Sequence, residues 1–216
     1  MNHSDRAHVF ISKFAFATLI AMDRATEKRV IIRAKRGDAE AFEELYNAFR
    51  LELYRSALLI MRHPADAEDA VSEAFIKTFR SIGRFDTKYP MRPWIHRILK
   101  NECNNIFKKR RVGTVRMDSF SSDWKDAVVD KKAKDSAQII IESEEDMRVV
   151  KLLGKLSDPH REVLVYHYFN SLDLIQIADI LEIPVGTVKS RLYHARKQLA
   201  KAIEGDEKIT KSTGTK

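Results

Sequence analysis

The most informative part of the sequence spans residues 173–203, DLIQIADILEIPVGTVKSRLYHARKQLAKAI. Apolar residues recur every three or four positions on both sides of a short turn at 182–184, which predicts two amphipathic helices. Asp173 is suited to cap the first helix, because its carboxylate can accept hydrogen bonds from the free amide groups at a helix start. Two helices joined by such a turn, the second of them basic, are typical of a helix-turn-helix DNA-binding unit.

The second helix has one apolar and one basic face. Apolar residues at offsets of 4, 7 and 11 from Val188 share a face that we expect to pack onto the preceding helix. The remaining surface carries five cations and no acid between residues 185 and 203. The first half of a recognition helix enters the major groove, so its polar side chains can reach base edges, while later cations suit phosphates. A solvated basic helix that binds nothing is the alternative. The outward-facing candidates are Thr187, Lys189, Ser190, Arg191, Tyr193, His194 and Lys197, and those suited to phosphates are Arg196, Lys197 and Lys201.

The same helical periodicity occurs upstream. One long amphipathic helix is predicted from Asp38 onward. A second begins at Pro64 and ends at Gly83, and a third begins at Pro93. With only 7 glycines and 5 prolines in 216 residues, a β-sandwich, a Rossmann domain and a P-loop are disfavoured. The three inward-facing stripes therefore predict a compact helical domain.

The sequence thus predicts an all-α protein with two small helical domains. The first covers residues 25–112 and the second, which contains the helix-turn-helix, covers 144–204. We interpret residues 113–143 as a flexible acidic linker, since they show weak periodicity and polar clusters. Residues 1–24 form an N-terminal extension and residues 205–216 a tail.

The linker region differs in charge from the rest of the chain. Nine acids and four lysines between residues 117 and 146 give a balance of −5, whereas the whole chain carries +8. Either this segment has an electrostatic role of its own, or it is an ordinary solvated tether.

The N-terminal extension contains the most apolar stretch, VFISKFAFATLIAM at 9–22. It has 14 residues and is interrupted by Lys13, whereas a helix needs about 20 apolar residues to span a bilayer. We therefore expect no direct membrane insertion and interpret the stretch as a loosely ordered extension. A peripheral docking helix, a secretion signal and a translation start at Met22 are the alternatives.

The sequence shows no sign of a catalytic or metal centre. The single cysteine, Cys103, excludes an intramolecular disulfide and a cysteine-based zinc site, and it suits a reducing cytoplasm. The seven histidines are scattered and form no paired-ligand motif. We expect no metal, no cofactor and no enzymatic activity.

The end of the first domain is a second candidate nucleic-acid surface. Between residues 97 and 116 there are seven basic residues and one acid. Amide side chains can bind base edges, aromatic rings can stack on unpaired bases, and cations can hold the backbone, which suits a partly melted strand. For Trp94 a place in the core is the alternative. The candidates are Arg92, Trp94, Arg97, Asn101, Asn105 and Lys108.

The helix that begins at Pro64 carries an acidic stripe. Asp66, Asp69 and Glu73 lie at offsets of 3 and 7 and share one face. An acidic stripe on a basic protein favours contact with a basic protein surface over contact with DNA. The alternative is ordinary charge at a helix N-terminus, where the dipole favours acids.

Three blocks of this sequence resemble one known family. The blocks are DAEDAVSEAFIKTFRSIGRF at 66–85, RPWIHRILKN at 92–101 followed by NNIFKKRR at 104–111, and IPVGTVKSRLYHARKQL at 183–199. In this order and spacing they look like bacterial sigma factors of the extracytoplasmic-function (ECF) group. The resemblance implies a sigma-2-like bundle and a sigma-4-like helix-turn-helix domain. It also implies a chain that binds core RNA polymerase and directs it to promoters.

The same resemblance implies roles for particular residues. Asp69, Ser72 and Glu73, on the helix that begins at Pro64, would dock on the clamp helices of the largest polymerase subunit, and Asp66 is grouped with them as a polymerase-binding residue. The second domain would contact the flap of the second-largest subunit. Residues 84–111 would recognise and help to melt the minus-ten element, with Asn101 and Asn105 contacting bases. An anti-sigma factor is expected as a further partner. For the minus-thirty-five element, the resemblance implies base contacts by Lys189, Ser190, Tyr193 and His194 and phosphate contacts by Gly186, Thr187, Arg191 and Arg196.

Two further expectations follow. Glu182 occupies a turn position where this family often has glycine, so we expect it to adopt a left-handed conformation at a cost of about 1 kcal/mol. The alternative function is a free-standing helix-turn-helix transcriptional regulator that uses only residues 145–203.

Overall fold

The structure, a computed structural model, describes residues 22–112 and 144–213, and it describes the side chains of residues 22–110 and 148–206. All regular structure in these ranges is helical, which confirms the all-α prediction. A 3₁₀ turn follows the third helix, and a short π-helix at Val165–Phe169 follows the sixth. The helices are α1 (Arg24–Ala34), α2 (Ala39–Met61), α3 (Pro64–Ser81), α4 (Met91–Val112), α5 (Glu144–Leu153), α6 (Asp158–Leu164), α7 (Leu174–Leu181) and α8 (Val185–Thr213).

The chain forms two compact units. The N-terminal unit contains α1 to α4, and the C-terminal unit contains α5, α6, α7 as far as Ala178, and α8. In the N-terminal unit α3 packs against both α2 and α4, and α1 packs against α2. Leu45, Leu53, Ile95 and Leu99 are completely buried at the centre of this unit. Burying each such side chain contributes about 1.5–3 kcal/mol, so these stripes hold the helices together.

The N-terminal unit has four helices in its described part, whereas the sequence predicted three. The additional helix is α1, which Asp23 caps by accepting hydrogen bonds from the amides of Ala25 and Thr26. Its apolar contribution to the core is confined to Val30, Ile31 and Ala34. An apolar stripe of little more than one turn is too short to stand out as a periodic pattern, so the sequence analysis missed this helix.

The predicted helix starts are largely confirmed. Asp38 caps α2, and α3 begins at Pro64 as predicted, with the His63 ring accepting a hydrogen bond from the amide of Asp66. The third predicted helix, α4, begins at Met91. This is two residues before Pro93, so the proline lies in the first turn, where its missing N–H has no helical partner to lose.

In the C-terminal unit, α8 packs against α6 and α5. Val188, Leu192, Ala195 and Leu199 are at most 2% exposed, which confirms the predicted apolar face of the second helix. The helix packs mainly on α6 and α5, whereas the sequence analysis expected this face to pack onto the immediately preceding helix, α7. The opposite surface of α8 lies in solvent.

The turn of the helix-turn-helix has the predicted geometry. Asp173 caps α7 in a capping box, because its carboxylate accepts from the amide of Gln176 while the Gln176 side chain accepts from the amide of Asp173. Glu182 ends the helix with φ of 57° and ψ of 44°. This left-handed conformation confirms the prediction made for the residue.

Helix α8 is longer than the sequence pattern indicated. It continues to Thr213, ten residues beyond Ile203, where the predicted helix ended and the tail followed. Arg148 of α5 forms an ion pair with Asp206 of α8, with 2.7 Å between Nε and Oδ2, which supports the first part of this extension. The predicted linker at 113–143 and residues 1–21 of the N-terminal extension lie outside the described residues.

Candidate nucleic-acid and partner interfaces

The face of α8 opposite its buried stripe is exposed and basic. Its most prominent side chain is Tyr193, which is 63% exposed. Thr187, Arg191 and Arg196 lie at the edges of this face and are half-buried. The structure therefore brings the predicted residues of this helix onto one continuous surface. Its exposed members are Gly186, Lys189, Ser190, Tyr193, His194, Lys197 and Lys201.

Arg196 is held at the edge of this surface by an aromatic residue of the π-helix. The Arg196 Nε donates a hydrogen bond of 2.8 Å to the Tyr168 hydroxyl, and the guanidinium lies 5.6 Å from the centre of the Tyr168 ring. Hydrogen bonding and cation–π attraction both fix the guanidinium. The sequence analysis missed Tyr168, because its spacing from Arg196 carries no local signal.

Two histidines lie side by side next to Tyr193. The ring centres of His160 and His194 are 6.1 Å apart, and that of Tyr193 is 5.3 Å from His194. The Nδ1 of His160 lies 3.0 Å from the side-chain oxygen of Gln198, which ties the start of α6 to α8. The predicted base-contacting residues His194 and Tyr193 thus form part of a small aromatic group.

A second polar stripe runs along α4. Its five residues follow one another at spacings of 3, 4, 4 and 3, which at about 100° per residue places them within about 80° of the helix circumference. Asn101, Asn105 and Lys108 are exposed, and the two members nearest the helix start are half-buried. The structure therefore brings five of the six predicted residues to one face. They are Trp94, Arg97, Asn101, Asn105 and Lys108.

Arg92 does not belong to this stripe. It lies on the opposite, inward-facing side of α4, and its Nε is 3.0 Å from the Oε1 of Glu52. The same oxygen lies 3.0 Å from the Nε2 of His96, whose side chain is completely buried. Arg92 therefore pairs with Glu52 and does not share a surface with the other five residues, which corrects its predicted grouping with them.

Trp94 lies between the core and the polar stripe. It is half-buried, and its ring centre is 4.7 Å from that of the buried Phe85. The core alternative describes the part of the ring that packs on Phe85, and the strand-contact alternative describes the part that remains exposed.

A buried acid supports the polar stripe. Glu102 is 6% exposed, and its Oε1 lies 2.6 Å from the Nζ of Lys77. The Asn105 amide nitrogen lies 3.4 Å from both Glu102 oxygens, so this carboxylate also orients one of the candidate base-contacting residues. The single acid in the basic run at 97–116 is thus paired rather than exposed.

The acidic stripe of α3 divides in two. Asp69, Ser72 and Glu73 are exposed, as a docking surface requires. Asp66 is only 7% exposed, and its Oδ1 lies 2.6 Å from the Nη2 of Arg110. The structure therefore places Asp66 in an intramolecular ion pair. Ile76, one turn beyond Ser72, is 40% exposed and adds apolar surface that the sequence analysis missed.

A cleft of about 240 Å³ lies between α2 and α3 beside the exposed acids. Burial, and to a smaller extent the charge of Glu68, raise the pKa of Tyr54 to about 12. The cleft offers both apolar walls and charged groups next to the acidic surface. Its lining residues are Tyr46, Arg50, Leu51, Tyr54, Glu68, Val71 and Ser72.

The described part of the chain contains no metal-binding group and no membrane-spanning helix. Among the residues whose side chains are described, no three His, Cys, Asp or Glu residues form a group able to hold a metal ion. None of the described helices combines the length and apolar character needed to cross a membrane.

Comparison with protein families gives two matches. The profile of sigma-70 region 2 matches residues 45–112, and the profile of sigma-70 region 4 matches residues 146–199. Together they cover more than half of the 216 residues. The first match contains the polar stripe of α4 and the acidic surface of α3. The second contains most of the exposed basic face of α8.

Curated relatives match this chain over more than four fifths of its length. The ECF RNA polymerase sigma factor SigW of Bacillus subtilis is 29% identical over 185 residues, which is 82% of this chain and 96% of that protein. The ECF RNA polymerase sigma-E factor of Escherichia coli K12 is 25% identical over 187 residues, covering 84% of this chain and 96% of that protein.

Solved structures show the same fold. The structure of CnrH in complex with the cytosolic domain of CnrY aligns with a TM-score of 0.62 at 23% identity, covering 83% of this chain and 98% of CnrH. The sigma factor RpoE of Bartonella quintana, solved in complex with the anti-sigma factor NepR, aligns with a TM-score of 0.56 at 21% identity. That alignment covers 75% of this chain and 98% of RpoE.

Proposed function

The chain belongs to the extracytoplasmic-function group of the sigma-70 family, and from this membership we propose that it binds core RNA polymerase, directs it to specific promoters and assists promoter melting. The observation that carries the proposal is the occurrence of region 2 and region 4 in one chain, each with an exposed polar surface suited to nucleic acid. As a sigma factor, the chain acts as a specificity subunit and the polymerase supplies catalysis.

The exposed face of α8 is the proposed contact to the minus-thirty-five element. Lys189, Ser190, Tyr193 and His194 lie in the first half of the helix, where major-groove contacts are made, so they are assigned to bases. The edge positions Thr187, Arg191 and Arg196, together with Gly186 at the start of the helix, are assigned to phosphates, because the walls of the groove would approach the helix there.

The polar stripe of α4 is the proposed contact to the minus-ten element. Asn101 and Asn105 are exposed one turn apart and present amide groups that can donate to and accept from base edges. Arg97 and Lys108 lie at the two ends of this pair and suit the backbone of the strand. Trp94 offers the exposed part of its half-buried ring to an unpaired base. Arg92 is left out of this assignment because it faces Glu52.

The exposed part of α3 is the proposed polymerase-docking surface. Asp69, Ser72 and Glu73 would meet the clamp helices of the largest subunit, with Ile76 supplying apolar area. Charge complementarity with a basic surface would orient this contact. The C-terminal unit is assigned to the flap of the second-largest subunit. An anti-sigma factor is proposed as the restraining partner, covering the surfaces that bind polymerase.

The remaining assignments follow from these contacts. The acidic segment at 113–143 is proposed to connect the two units along the nucleic-acid channel of the polymerase, where like charge keeps it away from DNA. We place the protein in the cytoplasm, because that is where core polymerase and promoter DNA meet in bacteria. A free-standing helix-turn-helix regulator would need only the C-terminal unit and would leave the region 2 match unexplained.

The direct test is transcription in vitro with purified core polymerase and the full chain on a genomic promoter pool. We expect transcripts that start at a restricted set of promoters and that depend on both proteins. Core polymerase alone is the control. The absence of chain-dependent initiation, with no anti-sigma factor present, would contradict the proposal.

A finer test separates base contacts from phosphate contacts on α8. His194→Ala should change the preference at one base pair of the upstream element. Lys201→Ala should weaken binding on all sequences and reduce the salt dependence by about one unit of slope. Equal losses for both variants on every promoter would refute the assignment of His194 as a base-contacting residue.

A further inference from the structure

Helix α1 holds the loop that connects α3 to α4. This loop, residues 85–90, is the longest described segment without helix in the N-terminal unit, and it leads directly into the polar stripe of α4. Three side chains of α1 and its C-terminal cap reach it: Arg24, Glu27 and Lys35. The sequence analysis missed α1, and the family resemblance assigned it no role.

The three contacts fix the loop at its beginning, middle and end. The Lys35 Nζ donates a hydrogen bond of 3.0 Å to the carbonyl of Phe85. An Arg24 guanidinium nitrogen donates one of 3.0 Å to the carbonyl of Thr87. The amide of Met91, the first residue of α4, donates one of 3.1 Å to the Oε1 of Glu27. Two carbonyls and one amide that no helix satisfies are thereby satisfied from α1.

Glu27 is the central residue of this arrangement. It is 8% exposed and pairs with Arg24 on its own helix, while its carboxylate caps the start of α4 from 64 residues away in sequence. A carboxylate at a helix N-terminus is stabilising, because the free amides there carry partial positive charge. Glu27 therefore links α1 directly to the first residue of α4, at the point where the loop enters the helix.

The loop presents its outer residues to solvent. Tyr89 is 66% exposed, and Lys88 and Pro90 beside it are also exposed. At the base of the loop, the buried Phe85 packs against Trp94 of the polar stripe. The backbone bond from Lys35 to Phe85 thus acts on a residue that touches one of the proposed strand contacts. An exposed aromatic residue next to a cation suits stacking on an unpaired base.

We propose that α1 is a positioning element for recognition of the melted strand, with Glu27 and Lys35 as its positioning residues. This inference rests on the proposed function. Neither residue contacts DNA in it. Both hold the loop so that Tyr89 and Trp94 face the same strand as the amides of α4. The polymerase-docking surface lies on α3 and shares none of these three contacts.

The test uses holoenzyme assembled from core polymerase and the full chain. Lys35→Met removes the donor to the loop and Lys28→Met, at an exposed position on the same helix, removes an equal charge as the matched control. Binding is measured to a single-stranded oligonucleotide carrying the minus-ten sequence selected with the wild-type protein, and to oligonucleotides with single-base changes in it. Core-polymerase affinity and duplex minus-thirty-five binding are measured in parallel.

We expect Lys35→Met to weaken oligonucleotide binding by about tenfold, the scale of one charge-assisted hydrogen bond, and to flatten base preference. Polymerase affinity and minus-thirty-five binding should stay within twofold, and Lys28→Met should match the wild type in all assays. Glu27→Leu should cause the same loss of oligonucleotide binding. Glu27→Gln, which keeps an acceptor oxygen, should retain most of the wild-type affinity.

Two results would overturn the inference. One is unchanged oligonucleotide affinity and base preference in both Lys35→Met and Glu27→Leu. The other is a parallel loss of polymerase binding and oligonucleotide binding, which would indicate general destabilisation of the unit. Failure of the wild-type protein to form a holoenzyme would instead contradict the proposed function, so the two failures are distinguishable.

Discussion

Replacing Asp66 by Asn separates a structural role of this carboxylate from a docking role. The sequence grouped Asp66 with the acids that would meet polymerase, whereas the structure pairs it with Arg110 across 2.6 Å. Because this ion pair lies within the N-terminal unit, Asp66→Asn should destabilise the unit and leave polymerase affinity unchanged. Asp69→Asn, at an exposed position one turn later, is the matched variant and should do the reverse.

The magnitude follows from the burial of the two partners. The side chains of Asp66 and Arg110 are 10% and 40% exposed. Exposed pairs contribute about 0–1 kcal/mol, and breaking a buried pair costs about 3–5 kcal/mol, so this half-buried pair should contribute about 1.5 kcal/mol. Removing an acid from the first turn of α3 adds about 0.5 kcal/mol. A loss of about 2 kcal/mol should lower the Tm of a domain of this size by about 10 °C.

Two measurements on the full chain check this. Thermal unfolding followed by calorimetry gives the Tm of the N-terminal unit. Fluorescence anisotropy gives the core-polymerase affinity, and it is measured at about 20 °C because domains usually begin to melt only near about 45 °C. Asp69→Asn should shift the Tm by less than about 3 °C, since exposed substitutions seldom exceed about 0.5 kcal/mol. An Asp66→Asn protein with an unchanged Tm and a tenfold weaker affinity would refute the structural assignment.

Three further predictions concern other contacts. Tyr168→Phe should weaken binding to the minus-thirty-five duplex about three- to tenfold on all sequences, because Arg196 loses its hydroxyl partner; anisotropy titrations that show no loss, or a loss confined to some sequences, would count against this. Glu182→Val should leave the C-terminal unit about 1–2 kcal/mol less stable than Glu182→Gly, since a β-branched residue is strained at a φ of 57°; chemical denaturation measures the difference, and equal stabilities would contradict it. The hydrogen bond from Arg33, followed by that from a backbone amide, lowers the pKa of Asp38 below its ordinary value. Its stabilising contribution is therefore complete above about pH 4, the unfolded pKa, and is lost as the pH falls through the lower folded value. The Tm difference between wild type and Asp38→Asn should shrink in that acidic range, and a constant difference would refute the assignment.

The family and the positions of most helices were predictable from local patterns. The alternation that makes α8 amphipathic, the capping residue Asp173 and the left-handed Glu182 all depend on residues within a few positions of one another. Such features are set by the helical repeat and by which backbone groups lack partners at helix ends. The exposed positions on α4 followed in the same way, because the residues left outside the apolar stripe of a helix lie on its solvent face.

The tertiary structure decided which polar residues of those helices are available to a partner. Asp66 and Arg92 have the sequence spacing of surface residues, yet each is directed inward by an opposite charge on a distant helix, Arg110 in one case and Glu52 in the other. The contacts of Glu27 and Tyr168 likewise join residues 64 and 28 positions apart. Sequence periodicity reflects only interactions between residues that are close together in the chain. A charged group near a protein surface can be stabilised either by water or by a group of opposite charge. Only the packing of the helices determines which of the two it meets.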